Sequence, residues 1–242
     1  MLEVQVAVAK IGKYASPESG DTVEHIERPR GGFSFVMADG QGSGRGAKTL
    51  SNLVTARAIA MLKDGARDGV VARAVHDYLY GYRNGQVSAT LNILSVDFST
   101  QTIIMSRNNP CPYYVIDASG VTVYEEPSSP IGLRAQTKPV ITQHPILPRQ
   151  YVVMFTDGIY GAGTRYGEAN VLGSFFETVD VEASPTPSEL AAGLLQRSMR
   201  GDRGRPGDDM SVIILGVTEQ DDAQPKIRSL SITFPVERVA KV

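Results

Sequence analysis

The sequence predicts one α/β domain in which antiparallel sheets are covered by helices. Three observations predict it. The hydrophobic periodicities run strands, two helices, several strands, a helix and a strand. Hairpin turn signals separate the strands and argue against regular βαβ units. No repeat or composition shift divides the 242 residues, enough for one substantial core.

In chain order, Val4, Val6 and Val8 alternate with small or polar residues and predict a first strand at about 2–10. Residues 13–22 are polar and rich in turn formers. Phe33 to Ala38 reads as a buried strand that stops at Asp39-Gly40, followed by the loop Gln41-Gly42-Ser43-Gly44. Leu50, Leu53, Val54, Ile59 and Leu62 recur at helical spacing and predict a helix from Ala47 to about Lys63. After Asp64-Gly65, a second helix is predicted at about 68–82, with Val71, Val75 and Leu79 on its apolar side. Strands follow at about 89–96 and 102–105, then a hairpin joins Tyr113–Ile116 to Val121–Tyr124 through Asp117-Ala118-Ser119-Gly120. Residues 125–138 read as a loop. Val140–Thr142 and Tyr151–Phe155 are further strands, the second ending at Thr156-Asp157-Gly158. Pro185 and Pro187 precede a helix starting near Ser188, which is read as its cap, with Leu190, Leu194 and Leu195 on one face. The basic, glycine-rich loop Arg200–Gly207 leads to Asp208-Asp209 and a strand over Met210–Val217. A polar linker, Glu219 to Gln224, precedes a last strand candidate at 227–234. The domain is therefore drawn over residues 1–220, with 221–242 as an extension adding a strand to it.

Composition excludes several classes. A formal net charge of -2 gives no support to a broad nucleic-acid-binding face. The single cysteine, Cys111, rules out an internal disulfide and any cysteine-rich zinc site. His25, His76 and His144 are scattered and form no zinc motif. No apolar stretch reaches membrane-spanning length, and the first residues lack the basic start and apolar run of a secretory signal. These features lead to the expectation of a cytoplasmic protein with no membrane partner.

The chemistry-bearing pattern is acidic. Asp21, Asp39, Asp157 and Asp208-Asp209 all stand at the edges of strong strand signals. A carboxylate where a buried strand meets a turn is costly without a partner. An isolated Asp-Gly is an ordinary turn, but the combination changes the reading. Carboxylates, carbonyls and water are the natural ligands of Mg²⁺ or Mn²⁺. Gly40 has no side chain to obstruct approach to its carbonyl. Divalent cations relieve the mutual repulsion of gathered carboxylates and can activate water against a phosphoryl group. Periodicity does not establish that these residues meet.

Four segments, in this order, resemble the metal-dependent protein phosphatases of the PPM or type 2C class: Ser19-Gly20-Asp21, Phe35–Gly44, Phe155-Thr156-Asp157-Gly158 and Gly207–Val212. They are most similar to the bacterial branch that includes the stage II sporulation protein E phosphatase domain and serine phosphatases of the stress response. The resemblance implies a four-layer αββα sandwich of mostly antiparallel sheets, with a centre for two divalent cations, Mn²⁺ or Mg²⁺, at one end. It implies that Asp39 bridges the two ions and the Gly40 carbonyl joins one of them. Asp21 assists the second ion directly or through water, and Asp157 and Asp208 hold the other. Asp209 is assigned to the outer shell or to a third, accessory ion. Two positions depart from animal and plant relatives. The neighbourhood of Ser16 lacks a phosphate-binding arginine, and Gln41 replaces a histidine and cannot act as a general acid. Arg45, Arg203 and Arg205 are candidates for phosphate or substrate contact, beside the blander reading of solvated loop and helix-start residues.

The function implied is hydrolysis of phosphoserine or phosphothreonine by a metal-bound water. The implied partner is a phosphorylated bacterial signalling protein, such as an anti-sigma-factor antagonist or a sensor-scaffold domain; a homodimer is a further candidate assembly. Two alternatives stay open: a weakly catalytic phosphoprotein-binding module, and a small-molecule phosphomonoesterase.

Overall fold

The computed structural model describes residues 1–168, 171–221 and 227–235. Its elements are β1 (Leu2–Ile11), β2 (Asp21–Glu27), β3 (Phe33–Asp39), α1 (Gly44–Lys63), α2 (Asp68–Arg83), β4 (Leu91–Asp97), β5 (Thr102–Asn108), β6 (Tyr113–Asp117), β7 (Gly120–Tyr124), β8 (Val140–Pro145), β9 (Gln150–Phe155), α3 (Asp157–Tyr160), a 3-10 turn at Thr164–Tyr166, α4 (Val171–Phe176), α5 (Pro187–Gly201) and β10 (Met210–Glu219). They form two five-stranded sheets, in the orders β1-β10-β9-β6-β7 and β2-β3-β4-β5-β8, with every named strand pair antiparallel.

Three apolar layers hold these elements together. Met37, Leu94, Met105, Tyr113, Val152 and Leu215 fill the space between the sheets. Val36, Val54, Leu62, Val75 and Ile93 join the second sheet to α1 and α2. Val153, Phe155, Phe176, Leu194 and Val212 join the first sheet to α4 and α5. Helix, sheet, sheet and helix are thus stacked in the expected four-layer αββα order. The interior strands β9 and β10 are covered on both faces, which is why they read as continuous apolar runs rather than alternations.

Three local readings differ. β2 is not among the strands predicted above; it is an edge strand whose Glu24, His25 and Glu27 face solvent, so only Val23 and Ile26 are apolar. The cap of α5 is Thr186 rather than Ser188, in a capping box with Glu189, and Pro187 takes the first helical position. The strand expected at 227–234 is unpaired. Residues 227–235 have no regular secondary structure and expose Ile227, Leu230, Ile232 and Phe234. Both edges of β10 are already taken by β1 and β9, so the tail finds no ladder position beside the strand it leaves. Residues 222–226 and 236–242 of the expected extension lie outside the described residues.

Candidate active site

The two sheets end together at one rim of the sandwich. Asp21 opens β2 directly opposite Asp39, the last residue of β3. On the other sheet, β9 runs into Thr156-Asp157, and Asp208-Asp209 lead into β10. Thr156 N–H donates to the Ser211 carbonyl at 3.0 Å, which brings these two strand ends together. Each Asp-Gly pair has a steric reason for its glycine. A Cβ on Gly40 would stand 2.1 Å from the Ala47 carbonyl oxygen in α1, and one on Gly158 would stand 2.1 Å from the Asp209 carbonyl oxygen. The glycine therefore lets a second backbone pass directly against the chain that carries the aspartate.

The carboxylates affect one another strongly. Asp21 is buried; its Oδ2 accepts hydrogen bonds from Thr156 Oγ1 at 3.0 Å and Ser211 Oγ at 2.6 Å. Its Oδ1 is buried with no hydrogen-bond partner among the described residues. Burial raises the Asp21 carboxyl to about 7, although Ser211, Thr156 and the nearby Lys10 pull it down. Asp39 is pushed up to about 8, first by loss of water and then by the charges of Asp21, Asp157, Asp208 and Asp209. Asp157 is also raised, by desolvation and then by Asp208. Such a set binds positive charge readily, whether protons or metal ions.

Asp209 plays a different part. Its Oδ1 accepts the Lys13 backbone N–H at 2.8 Å and its Oδ2 accepts that of Gly20 at 2.7 Å. One buried carboxylate thus clamps both ends of the loop between β1 and β2. Lysines border the centre. Lys10 and Lys48 each donate to the Asp21 backbone carbonyl at 2.8 Å, and Lys13 Nζ lies 3.7 Å from Asp208 Oδ1. Sequence reasoning singled out none of these lysines, nor Thr156 and Ser211 as partners of Asp21. Thr156 and Ser211 lie inside the motifs that were read, but nothing in spacing shows that both hydroxyls turn toward a residue on the other sheet.

The weaker candidates are placed elsewhere. Arg45 is exposed in the first turn of α1. The Arg203 guanidinium lies 4.3 Å from the Tyr166 ring centroid, and that of Arg205 lies 5.3 Å from Tyr14. Gln41 ties its loop to Ser88, donating its N–H to the Ser88 carbonyl at 3.0 Å and accepting the Ser88 N–H on Oε1 at 2.9 Å. Cys111 is buried and its thiol is pushed up to about 12 by desolvation, which keeps it protonated at neutral pH. Asn109 Oδ1 accepts the Cys111 N–H at 2.9 Å, as a tight structural turn requires. His25 stacks on Phe35, His76 Nδ1 accepts the Gly132 N–H, and His144 meets the Tyr113 hydroxyl.

Among the described residues, no group of three or more His, Cys, Asp or Glu side chains is arranged to hold a metal ion. The donor set nevertheless fits a hard divalent cation. It is all oxygen, it lacks soft ligands, and the buried Asp21 Oδ1 has no proton donor.

A family model described as stage II sporulation protein E (SpoIIE) matches residues 29–218. The chain belongs to the SpoIIE family. Stage II sporulation protein E of Bacillus subtilis (strain 168) is 20% identical over 229 residues, which cover 95% of this chain and 27% of that protein. The chain thus spans about a quarter of the length of that curated relative. A structure of the PP2C phosphatase domain and a fragment of the regulatory domain of SpoIIE from Bacillus subtilis superposes with a TM-score of 0.78 at 19% identity, over 91% of this chain and 64% of that one. The catalytic domain of the serine/threonine protein phosphatase PstP in complex with two manganese ions gives 0.67 at 16% identity, over 90% of this chain and all (100%) of that one. The SpoIIE-family chain therefore carries the same sandwich fold as these phosphatase-domain structures.

Proposed function

We propose that the protein is a metal-dependent serine/threonine protein phosphatase acting in the cytoplasm on a phosphorylated bacterial signalling protein. The observation that carries this reading is the gathering of Asp21, Asp39, Asp157 and Asp208 at one rim of a SpoIIE-family sandwich, with a buried carboxylate oxygen left unpartnered. The carboxylates of Asp21, Asp39, Asp157 and Asp208 and the Gly40 carbonyl would hold two divalent cations, Mn²⁺ or Mg²⁺. When bound, these ions supply positive charge to a phosphoryl group and acidify water. Thr156 and Ser211 orient the Asp21 carboxylate, leaving Oδ1 for a cation. Asp209 has both oxygens occupied by backbone N–H groups and acts by holding the β1–β2 loop, which supports its outer-shell assignment over an accessory-ion role. The substrate we propose is a phosphoprotein such as an anti-sigma-factor antagonist or a sensor-scaffold domain, and membership of the SpoIIE family supports that choice.

Gln41, which cannot act as a general acid, favours a second reading, a phosphoprotein-binding module with weak turnover. One experiment separates them. Metal-stripped protein is titrated with Mn²⁺ by calorimetry while phosphate release from a phosphoserine protein is followed. Release that rises with Mn²⁺ occupancy and stops on chelation supports the enzyme. Mn²⁺ binding without release supports the module, and undiminished release from metal-free protein sinks both.

A further inference from the structure

Beside the carboxylate rim lies an exposed surface that combines arginines with tyrosines. Tyr14, in the β1–β2 loop, donates its backbone N–H to the Pro206 carbonyl at 2.9 Å, which joins that loop to the segment preceding Asp208. The Arg205 guanidinium lies 5.3 Å from the Tyr14 ring centroid, and that of Arg203 lies 4.3 Å from Tyr166. Arg165 lies 5.6 Å from Tyr166, pairs with the buried Asp202 at 3.2 Å, and donates to the Arg205 carbonyl at 2.9 Å. A Cβ on Gly207 would stand 2.5 Å from Arg165 Cζ, so this guanidinium covers the backbone one residue before Asp208. Three loops from separate parts of the chain thus make one lip against the site.

The lip has an excess of positive charge in a chain whose formal net charge is -2. Arg165, Arg203 and Arg205 are all exposed, and Tyr14 is 57% exposed. Only Arg165 has a carboxylate partner within ion-pair distance among the described residues, and that partner is the buried Asp202. Further round, Arg197 and Arg200 line a cavity of about 350 Å³, together with Glu168. A guanidinium lying over an aromatic ring keeps its outward donors free while losing little further side-chain entropy when it pairs with a planar carboxylate. Arg203 and Arg205 turn to tyrosines rather than to the aspartate rim, so the groups they suit are neighbours of the reacting phosphate.

We propose that this lip docks acidic residues flanking the phosphorylated serine or threonine of the protein substrate. The proposal rests on the phosphatase reading for what the docked segment presents to the rim, and charge complementarity identifies the occupant. The probes are two fluorescent phosphoserine peptides of one sequence, with Asp and Glu at the flanking positions in the first and Asn and Gln in the second. Dissociation constants by anisotropy and kcat/KM for phosphate release are measured on the full chain with Mn²⁺, at low and high NaCl. The acidic peptide is expected to bind about tenfold tighter at low salt, with the preference shrinking as salt screens it. In an Arg203→Gln, Arg205→Gln double variant the ratio of the two dissociation constants falls toward one. Arg165 is left intact because it holds Asp202, and near-ultraviolet circular dichroism checks the fold. Equal binding of both peptides by the wild-type protein overturns the docking proposal, as does an undiminished ratio in the variant. A binding preference without phosphate release leaves the lip standing and overturns the phosphatase reading instead.

Discussion

Replacing Asp39 with Asn should make the metal-free protein more stable and the enzyme nearly inactive. The carboxyl stands at about 8 in the fold, against 3.8 for an ordinary aspartate. A folded-state value raised above the unfolded one gives stability at low pH that is lost as pH rises through about 8. At about pH 7.5, keeping a proton that the unfolded chain has released costs up to ~5 kcal/mol, at about 1.4 kcal/mol per pH unit above 3.8. Asp39 is only partly buried, and water on its open side screens the repulsion, which leaves roughly 2 kcal/mol. The amide removes that titration without disturbing the backbone, since the Asp39 N–H donates to Thr90 Oγ1 at 3.1 Å and the Asp39 carbonyl accepts from Thr90 N–H at 2.9 Å. For a domain of this size the melting temperature in chelator should rise by roughly 4–8 °C near pH 7.5 and by little near pH 5. Mn²⁺-dependent phosphate release should fall by more than about 100-fold, because the assigned shared ligand is gone. Thermal unfolding of both proteins in chelator across this pH range, beside the activity assay, tests both halves. A variant that melts lower than wild type at every pH would refute the argument from crowded charge.

Further outcomes follow from neighbouring residues. Asp209→Asn leaves one of two backbone N–H groups, the buried one of Gly20 or the half-buried one of Lys13, without an acceptor, so it should cost about 1–3 kcal/mol of stability and change Mn²⁺ affinity less than Asp39→Asn does; chemical denaturation and calorimetry read the two effects. Ser211→Ala removes a donor from Asp21 Oδ2 and lets protons compete better for that carboxylate, so Mn²⁺ affinity should drop about tenfold and its pH dependence should move to higher pH. Cys111, buried with its thiol pushed up to about 12, should resist alkylation by iodoacetamide in the native protein and react after denaturation, as mass spectrometry would show.

Much of the fold was legible because its strongest strands are buried on both faces. Phe33–Ala38, Tyr151–Phe155 and Met210–Val217 contain long apolar runs bordered by aspartates, and the helices over 44–63 and 68–83 show clear periodicity. Edge strand β2 was not legible, since solvent on its outer face permits Glu24, His25 and Glu27 where a pattern would need apolar residues. The short helices after Thr156 were missed for a similar reason, being shorter than the window over which a helical period can be recognised. At the site, motif order names the candidate aspartates. The groups that tune them could not be named. Lys10, Lys48, Thr156 and Ser211 reach Asp21 across layers that only the folded chain brings together.

The same closeness gives α1 mechanical authority over the rim. Ala47 is wedged between two glycines: a Cβ on Gly20 would come within 2.8 Å of its Cβ, and one on Gly40 within 2.1 Å of its carbonyl oxygen. Each glycine adjoins an aspartate, Asp21 on one side and Asp39 on the other. Lys48, the next residue, grips the Asp21 carbonyl. The helix start is therefore a fulcrum, and the gap between these two carboxylates cannot be set independently of where the helix lies. By the reciprocity of linked equilibria, if the proposed cations are bound there, whatever fixes the gap would also fix the helix, and a tilt of the helix would change how tightly they are held.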